Sequence, residues 1–129
     1  MVLLKSLSDS NNMIEKLGVG IDITDITDFK IISYQKKPGF YHSIFQSSES
    51  DYCLKFQDSS SHFAGKFALK EAVKKSINAD IYISKIETFH LKSKPMVKLL
   101  DSKKKYSFRA SVSHENDYAI AIVISELIN

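Results

Sequence analysis

The chain has a single cysteine, Cys53, no tryptophan, four glycines and two prolines. One cysteine excludes an intramolecular disulfide and any zinc site built from several thiolates. It fits a reducing compartment, so a cytoplasmic location is expected. Arg109 is the sole arginine among 18 basic residues. Bidentate forks onto phosphate or carboxylate are therefore scarce, and lysine point charges must make such contacts. Long apolar runs are absent too: none approaches the roughly 20 residues of a membrane helix. The short run after Met1 gives way at once to Lys5 and a Ser/Asp/Asn-rich stretch, unlike a secretory signal. Neither a Walker-type phosphate loop nor an aromatic-glycine RNA-binding pattern occurs. No membrane and no nucleic-acid partner is expected.

What is present is a chain of 129 residues, 43% hydrophobic and 26% charged, a globular mix with room for one good core. The net charge of +3 suits an anionic partner but falls short of the basic stripe of a DNA binder. Residues 1–16, polar and rich in serine and asparagine, read as a leader that is flexible or carries one helical turn. Residues 17–129 read as a single domain.

Leu17 to Thr24 alternates, with Val19, Ile21 and Ile23 on one face and Gly18, Gly20, Asp22 and Thr24 on the other. A helix or turn is expected to start near Thr24 or Thr27 and to break at Lys37-Pro38-Gly39. Ser47 to Phe56 reads as a short helix, with serines as N-cap candidates. A stronger helix follows, capped by Ser59 to Ser61 and ended by Asn78-Ala79-Asp80. Phe63, Phe67, Ala68, Ala72, Val73 and Ile77 form its apolar face. Lys66, Lys70 and Lys74 repeat along another face, and Glu71 with Lys75 makes a favourable i,i+4 pair. The second half reads as strands: Ile86–Lys92, Met96–Leu100, Tyr106–Ser113 and Tyr118–Ile124. Ser93 to Pro95 and His114 to Asp117 are the turns. The last strand is apolar enough to be buried on both faces. The sum is an α+β domain, a mainly antiparallel sheet packed on a long helix.

Three residues stand out chemically. Asp22 lies on a strand face cleared by glycines, Glu71 lies in a lysine-rich helix, and His114 lies at a strand-to-strand turn. Two carboxylates suffice for magnesium when phosphate and water supply further oxygens. Lysines beside them would neutralise that phosphate. On spacing alone, a lysine repeat is more often a solvated helix face, and a lone aspartate or histidine more often structural. Cys53 reads as a small buried apolar residue.

Five blocks in order change that balance. Val19-Gly-Ile-Asp-Ile-Thr24, Ile44 to Cys53, Phe63-Ala-Gly-Lys-Phe-Ala-Leu-Lys-Glu-Ala72, Lys94-Pro95 and Ser111 to Ala119 resemble the motifs of the holo-acyl-carrier-protein synthases, the short 4'-phosphopantetheinyl transferases. The resemblance implies magnesium-dependent transfer of 4'-phosphopantetheine from coenzyme A to a serine of apo-acyl carrier protein. Adenosine 3',5'-bisphosphate is the other product, and fatty acid or polyketide biosynthesis is the process served. It implies Asp22 and Glu71 as metal ligands, Lys66, Lys70, Lys75 and His114 around coenzyme A, and a catalytic set of Asp22, Glu71, Lys75 and His114. Asp22 or Glu49 is open as the base, acting through a water. A homotrimer is implied as well. The chain departs from the family pattern at Asp28, where an arginine grips the carrier protein, with Lys30, Lys36 and Lys37 as substitutes. It departs again at Lys66 for arginine, at Asn78-Ala79-Asp80 for a glycine-rich turn and at Ser93 for glycine. A homologue that binds a carrier without transfer is the alternative. The retained Asp22, Glu71 and His114 favour activity.

Overall fold

The computed structural model describes residues 16–77 and 79–128. The leader expected over residues 1–16 lies outside them apart from Lys16, as does Asn78. Strand β1 (Leu17–Asp25) leads into helices α1 (Ile26–Ile31), α2 (Pro38–His42), α3 (Ser47–Leu54) and α4 (Ser59–Ser76). A single 3-10 turn (Ile83–Lys85) precedes β2 (Ile86–Leu91), β3 (Lys94–Leu99), β4 (Tyr106–Glu115) and β5 (Tyr118–Leu127). The strands form two antiparallel sheets rather than one: a three-stranded sheet in the order β1-β5-β4 and the separate hairpin β2-β3.

Caps fall one residue ahead of the expected serines. Asp25 accepts from the Thr27 amide at 2.9 Å to start α1. Gln46 caps α3, with Glu49 Oε1 accepting from the Gln46 amide at 2.8 Å. Asp58 caps α4 through the Ser61 amide. The carboxylate at Asp58 competes better than a serine hydroxyl for the free amides of the first turn. Helix α4 ends at Ser76 with Ile77 as its C-cap, slightly before the expected stop. Turns differ in the same small way. His114 and Glu115 complete β4, and the turn proper is Asn116-Asp117, with Asn116 at φ 54. The β2-β3 turn sits at Lys92-Ser93, at φ 51 and 66, so Lys94 and Pro95 already belong to β3.

Helix α4 lies on the three-stranded sheet at very short range. A Cβ added to Gly20 would stand 1.8 Å from the Ala72 carbonyl oxygen, and one added to Gly18 1.7 Å from that of Ser76. The facing side of β5 is small as well: Ala119, Ala121, Val123 and Ser125 are all buried, and Ser125 Oγ donates to the Ser76 carbonyl at 2.8 Å. An aromatic cluster of Phe29, Tyr41, Phe45 and Phe63 fills the other end of the core, with Tyr41 and Phe63 4.6 Å apart edge to face. Burying a side chain such as Phe63 contributes roughly 1.5–3 kcal/mol.

The packed face of β1 is thus the glycine face. Val19, Ile21 and Ile23 are 64%, 58% and 62% exposed on the other side, and Ile122 and Ile124 of β5 lie beside them, also exposed. The expectation that β5 is buried on both faces fails within one chain, because α4 covers only one side of the sheet.

Substituting Gly20 by alanine forces strand and helix backbones apart. The variant should lose at least about 2 kcal/mol of stability, read as a lower urea midpoint at unchanged slope.

Candidate active site

Alternation along β1 carries Asp22 onto the face that meets α4, one pleat beyond Gly20. Lys75 of α4 donates to Asp22 Oδ1 at 3.2 Å and to the Ile21 carbonyl at 3.0 Å. Thr24 Oγ1 donates to Asp22 Oδ2 at 2.7 Å. The Asp22 side chain is 15% exposed and that of Lys75 53%. So open an ion pair is worth about 0–1 kcal/mol, and the carboxylate can exchange the ammonium for a stronger cation. Glu71, half-buried, stands one turn before Lys75 on the same stripe of α4. The expected Glu71–Lys75 pair does not form among the described residues; Lys75 crosses to Asp22 instead.

This donor set fits magnesium. It offers hard carboxylate oxygens with no imidazole or thiolate among them, and the Lys75 ammonium already shows that positive charge is stable beside Asp22. Among the described residues no cluster of three or more His, Cys, Asp or Glu gathers to hold a metal. For a magnesium ion here, water and a phosphate would have to supply the remaining ligands, as magnesium ordinarily permits.

Lys66 and Lys70 lie elsewhere. Neighbours such as Lys70 and Glu71 point about 100° apart on a helix, and the Lys66–Lys70 stripe turns toward α3 and β2. Both are buried, at 5% and 0% exposure, so the lysine repeat is not a solvated face; only Lys74 and Lys75 are exposed. Lys70 donates to Glu49 Oε1 and to the Ile44 carbonyl, each at 2.6 Å. Glu49 Oε2 accepts from the Thr88 amide at 3.0 Å and from its hydroxyl. Lys66 donates to the Thr88 carbonyl at 3.1 Å and to Thr88 Oγ1 at 3.0 Å, with its ammonium 4.8 Å from the centre of the Tyr52 ring. Burial pulls both ammonium groups below the ordinary lysine pKa, and Glu49 opposes that pull. Two consequences correct the expectations. Lys70 is committed to a buried pair and has no access to a phosphate. Glu49, buried with both oxygens occupied, is in no position to serve as the base.

His114 lines a cleft of about 210 Å³ with Lys66, His62, His90, Tyr52 and Pro95. His114 Nε2 donates to the Ser61 carbonyl at 3.1 Å, which holds the ring against the start of α4. Gly65 makes room for the ring, since a Cβ there would meet Nε2 at 3.1 Å. Burial, and after it the charge of His114, lowers the His62 pKa; burial, then Lys66, lowers that of His90. His90 stacks on Tyr52 at 4.9 Å and His62 on Phe56 at 3.7 Å. No acid is among the residues lining this cleft.

The chain therefore brings Asp22 and Lys75 to one place, with Glu71 one helical turn before Lys75, and Lys66 with His114 to another. No hydrogen bond or ion pair among the described residues joins the two sets. Sequence reasoning missed Thr88, His62, His90 and Tyr52. Of these, His62 alone left a trace, four residues before Lys66 on the same helical stripe. Cys53 is buried as expected, its thiol pushed up to about 12, chiefly by burial.

Comparison with known proteins identifies the family and the fold. The sequence model of the 4'-phosphopantetheinyl transferase superfamily matches residues 18–123. A holo-[acyl-carrier-protein] synthase of Clostridium novyi is 31% identical over 128 residues, covering 88% of this chain and 89% of that protein. The crystal structure of the Helicobacter pylori holo-[acyl-carrier-protein] synthase in complex with coenzyme A superposes with a TM-score of 0.69. It is 32% identical, and the match covers 84% of this chain and 99% of the other. The Chronobacterium ammoniagenes ACPS-CoA complex shares the fold at a TM-score of 0.72 and 20% identity, over 88% and 98% of the two chains. The chain belongs to the 4'-phosphopantetheinyl transferase superfamily and, within it, to the holo-acyl-carrier-protein synthase family of enzymes.

Removing Glu49 leaves Lys70 charged, buried and unpaired. Glu49→Ala should cost about 3–5 kcal/mol, measured by urea unfolding, and Glu49→Ala with Lys70→Met should recover more than half of the loss.

Proposed function

We propose that this protein transfers 4'-phosphopantetheine from coenzyme A to a serine of apo-acyl carrier protein, releasing adenosine 3',5'-bisphosphate. The observation that carries the reading is Asp22: a mostly buried carboxylate, cleared by glycines, with the displaceable ammonium of Lys75 on it. Asp22 and Glu71 would hold a magnesium ion, which when bound supplies Lewis-acid stabilisation of charge on the leaving bisphosphate. Lys75, exposed and at the same spot, neutralises the phosphate whose bond breaks. Thr24 holds Asp22 in orientation through its hydroxyl. Of the two candidate bases only Asp22 is open to solvent, so the base role falls to it, acting through a water.

Lys66 and His114 bind the nucleotide end in the acid-free cleft, the His114 ring held in orientation by the Ser61 carbonyl. Joining the two halves of the site is the work of a homotrimer. The exposed aliphatic face of Val19, Ile21, Ile23, Ile122 and Ile124 supports this reading, since a contiguous apolar face of this kind marks an interaction surface. The exposed Lys30, Lys36 and Lys37 are suited to an acidic carrier protein. The activity resides in one domain over residues 17–129 and serves fatty acid or polyketide biosynthesis in the cytoplasm.

With magnesium, coenzyme A and an apo-carrier protein, the carrier should gain the mass of one phosphopantetheine. No gain with several carriers, the host's own included, overturns the proposal. Asp22→Ala and Glu71→Ala should each lower the rate by roughly a hundredfold or more with the circular dichroism spectrum unchanged. Ile122→Asp should shift a trimer to monomer in light scattering. Monomeric wild-type protein would remove the trimer.

A further inference from the structure

We infer that Thr88 is a positioning residue for ligand binding, the side chain that fixes Lys66 at the wall of the cleft. The inference rests on reading that cleft as the site of the coenzyme A nucleotide. Lysine at position 66 has a single compact charge on a flexible stem, where an arginine would present a rigid fork. Left to itself, such a side chain gives a phosphate no defined partner. Thr88 supplies the definition with two acceptors from one residue, its carbonyl at 3.1 Å and its hydroxyl oxygen at 3.0 Å.

The direction of these bonds is forced. The Thr88 hydroxyl has one proton, and its other partner, Glu49 Oε2, is a carboxylate oxygen that only accepts. The proton therefore goes to Glu49, and toward Lys66 the oxygen offers lone pairs alone. Glu49 is itself pinned by the Lys70 ammonium and by the Gln46 and Thr88 amides. The Lys66 ammonium is left with one N–H beyond its two bonds to Thr88. It makes no ion pair with any described carboxylate. A buried cation of this kind is an anion receptor whose position is set by Thr88, while the Tyr52 ring beneath it adds a cation–π contact.

The test compares wild type, Thr88→Val, Thr88→Ser and Lys66→Met by calorimetric binding of adenosine 3',5'-bisphosphate and by transfer kinetics. Thr88→Val should weaken binding and raise KM for coenzyme A about tenfold, with kcat at saturation within about twofold. Thr88→Ser should restore wild-type binding. Lys66→Met should lose about as much as Thr88→Val, and the double variant should lose no more than either. Wild-type binding by Thr88→Val beside weak binding by Lys66→Met overturns the role of Thr88, as do losses that multiply in the double variant. Should Thr88→Val fail to fold, Thr88→Cys, close in size and a poorer acceptor, is read by the same criteria. Failure of the wild type to bind the bisphosphate, or unimpaired binding by Lys66→Met, overturns the assignment of the cleft itself.

Discussion

The approach of α4 to β1 is the constraint on which the rest depends. Gly18 and Gly20 let two backbones meet where any side chain would collide, and the small residues of β5 continue the same flat surface. Because the helix sits so low, a lysine near its end reaches the carboxylate at Asp22. The same choice of face turns the isoleucines of β1 and β5 away from the helix. One packing decision thus sets the Asp22 carboxylate against the Lys75 ammonium and leaves an aliphatic surface on the other side of the sheet.

A second node ties the remaining elements together. Glu49 caps α3, pairs with Lys70 of α4 and accepts from Thr88 of β2. Three elements distant in sequence meet on one carboxylate, which is how the separate β2-β3 hairpin is held against the helix. Replacing such a buried pair by apolar groups is often neutral, so its retention here reads best as a register device. It places Thr88, and through it the wall of the cleft, at a fixed height on α4.

Much of this was legible in the sequence, and the parts that were not share a cause. Period-two alternation showed the two faces of β1, but not which one the helix would cover, because apolar residues mark burial only when the partner is in the same chain. The glycines were the better signal, since they record a close approach. The four-residue spacing of Lys66 and Lys70 was plain, whereas their burial was not. The acid that neutralises Lys70 comes from α3, and the groups that receive Lys66 come from β2, neither visible from spacing within α4. Asp22, Glu71 and His114 were found as motif residues. That they fall into two places emerged only from the fold, as did the cleft formed by His62, His90 and Tyr52.

Lys66 has one more consequence. Its charge is withdrawn from water without a carboxylate of its own, and desolvation of that kind opposes folding. An anion held in the cleft removes part of the penalty only in the native state. Occupancy and folding are then thermodynamically linked, and a phosphorylated ligand shifts the unfolding equilibrium by mass action. A buried cation of this kind thus makes the supply of an anionic ligand that reaches it a determinant of how much folded protein survives.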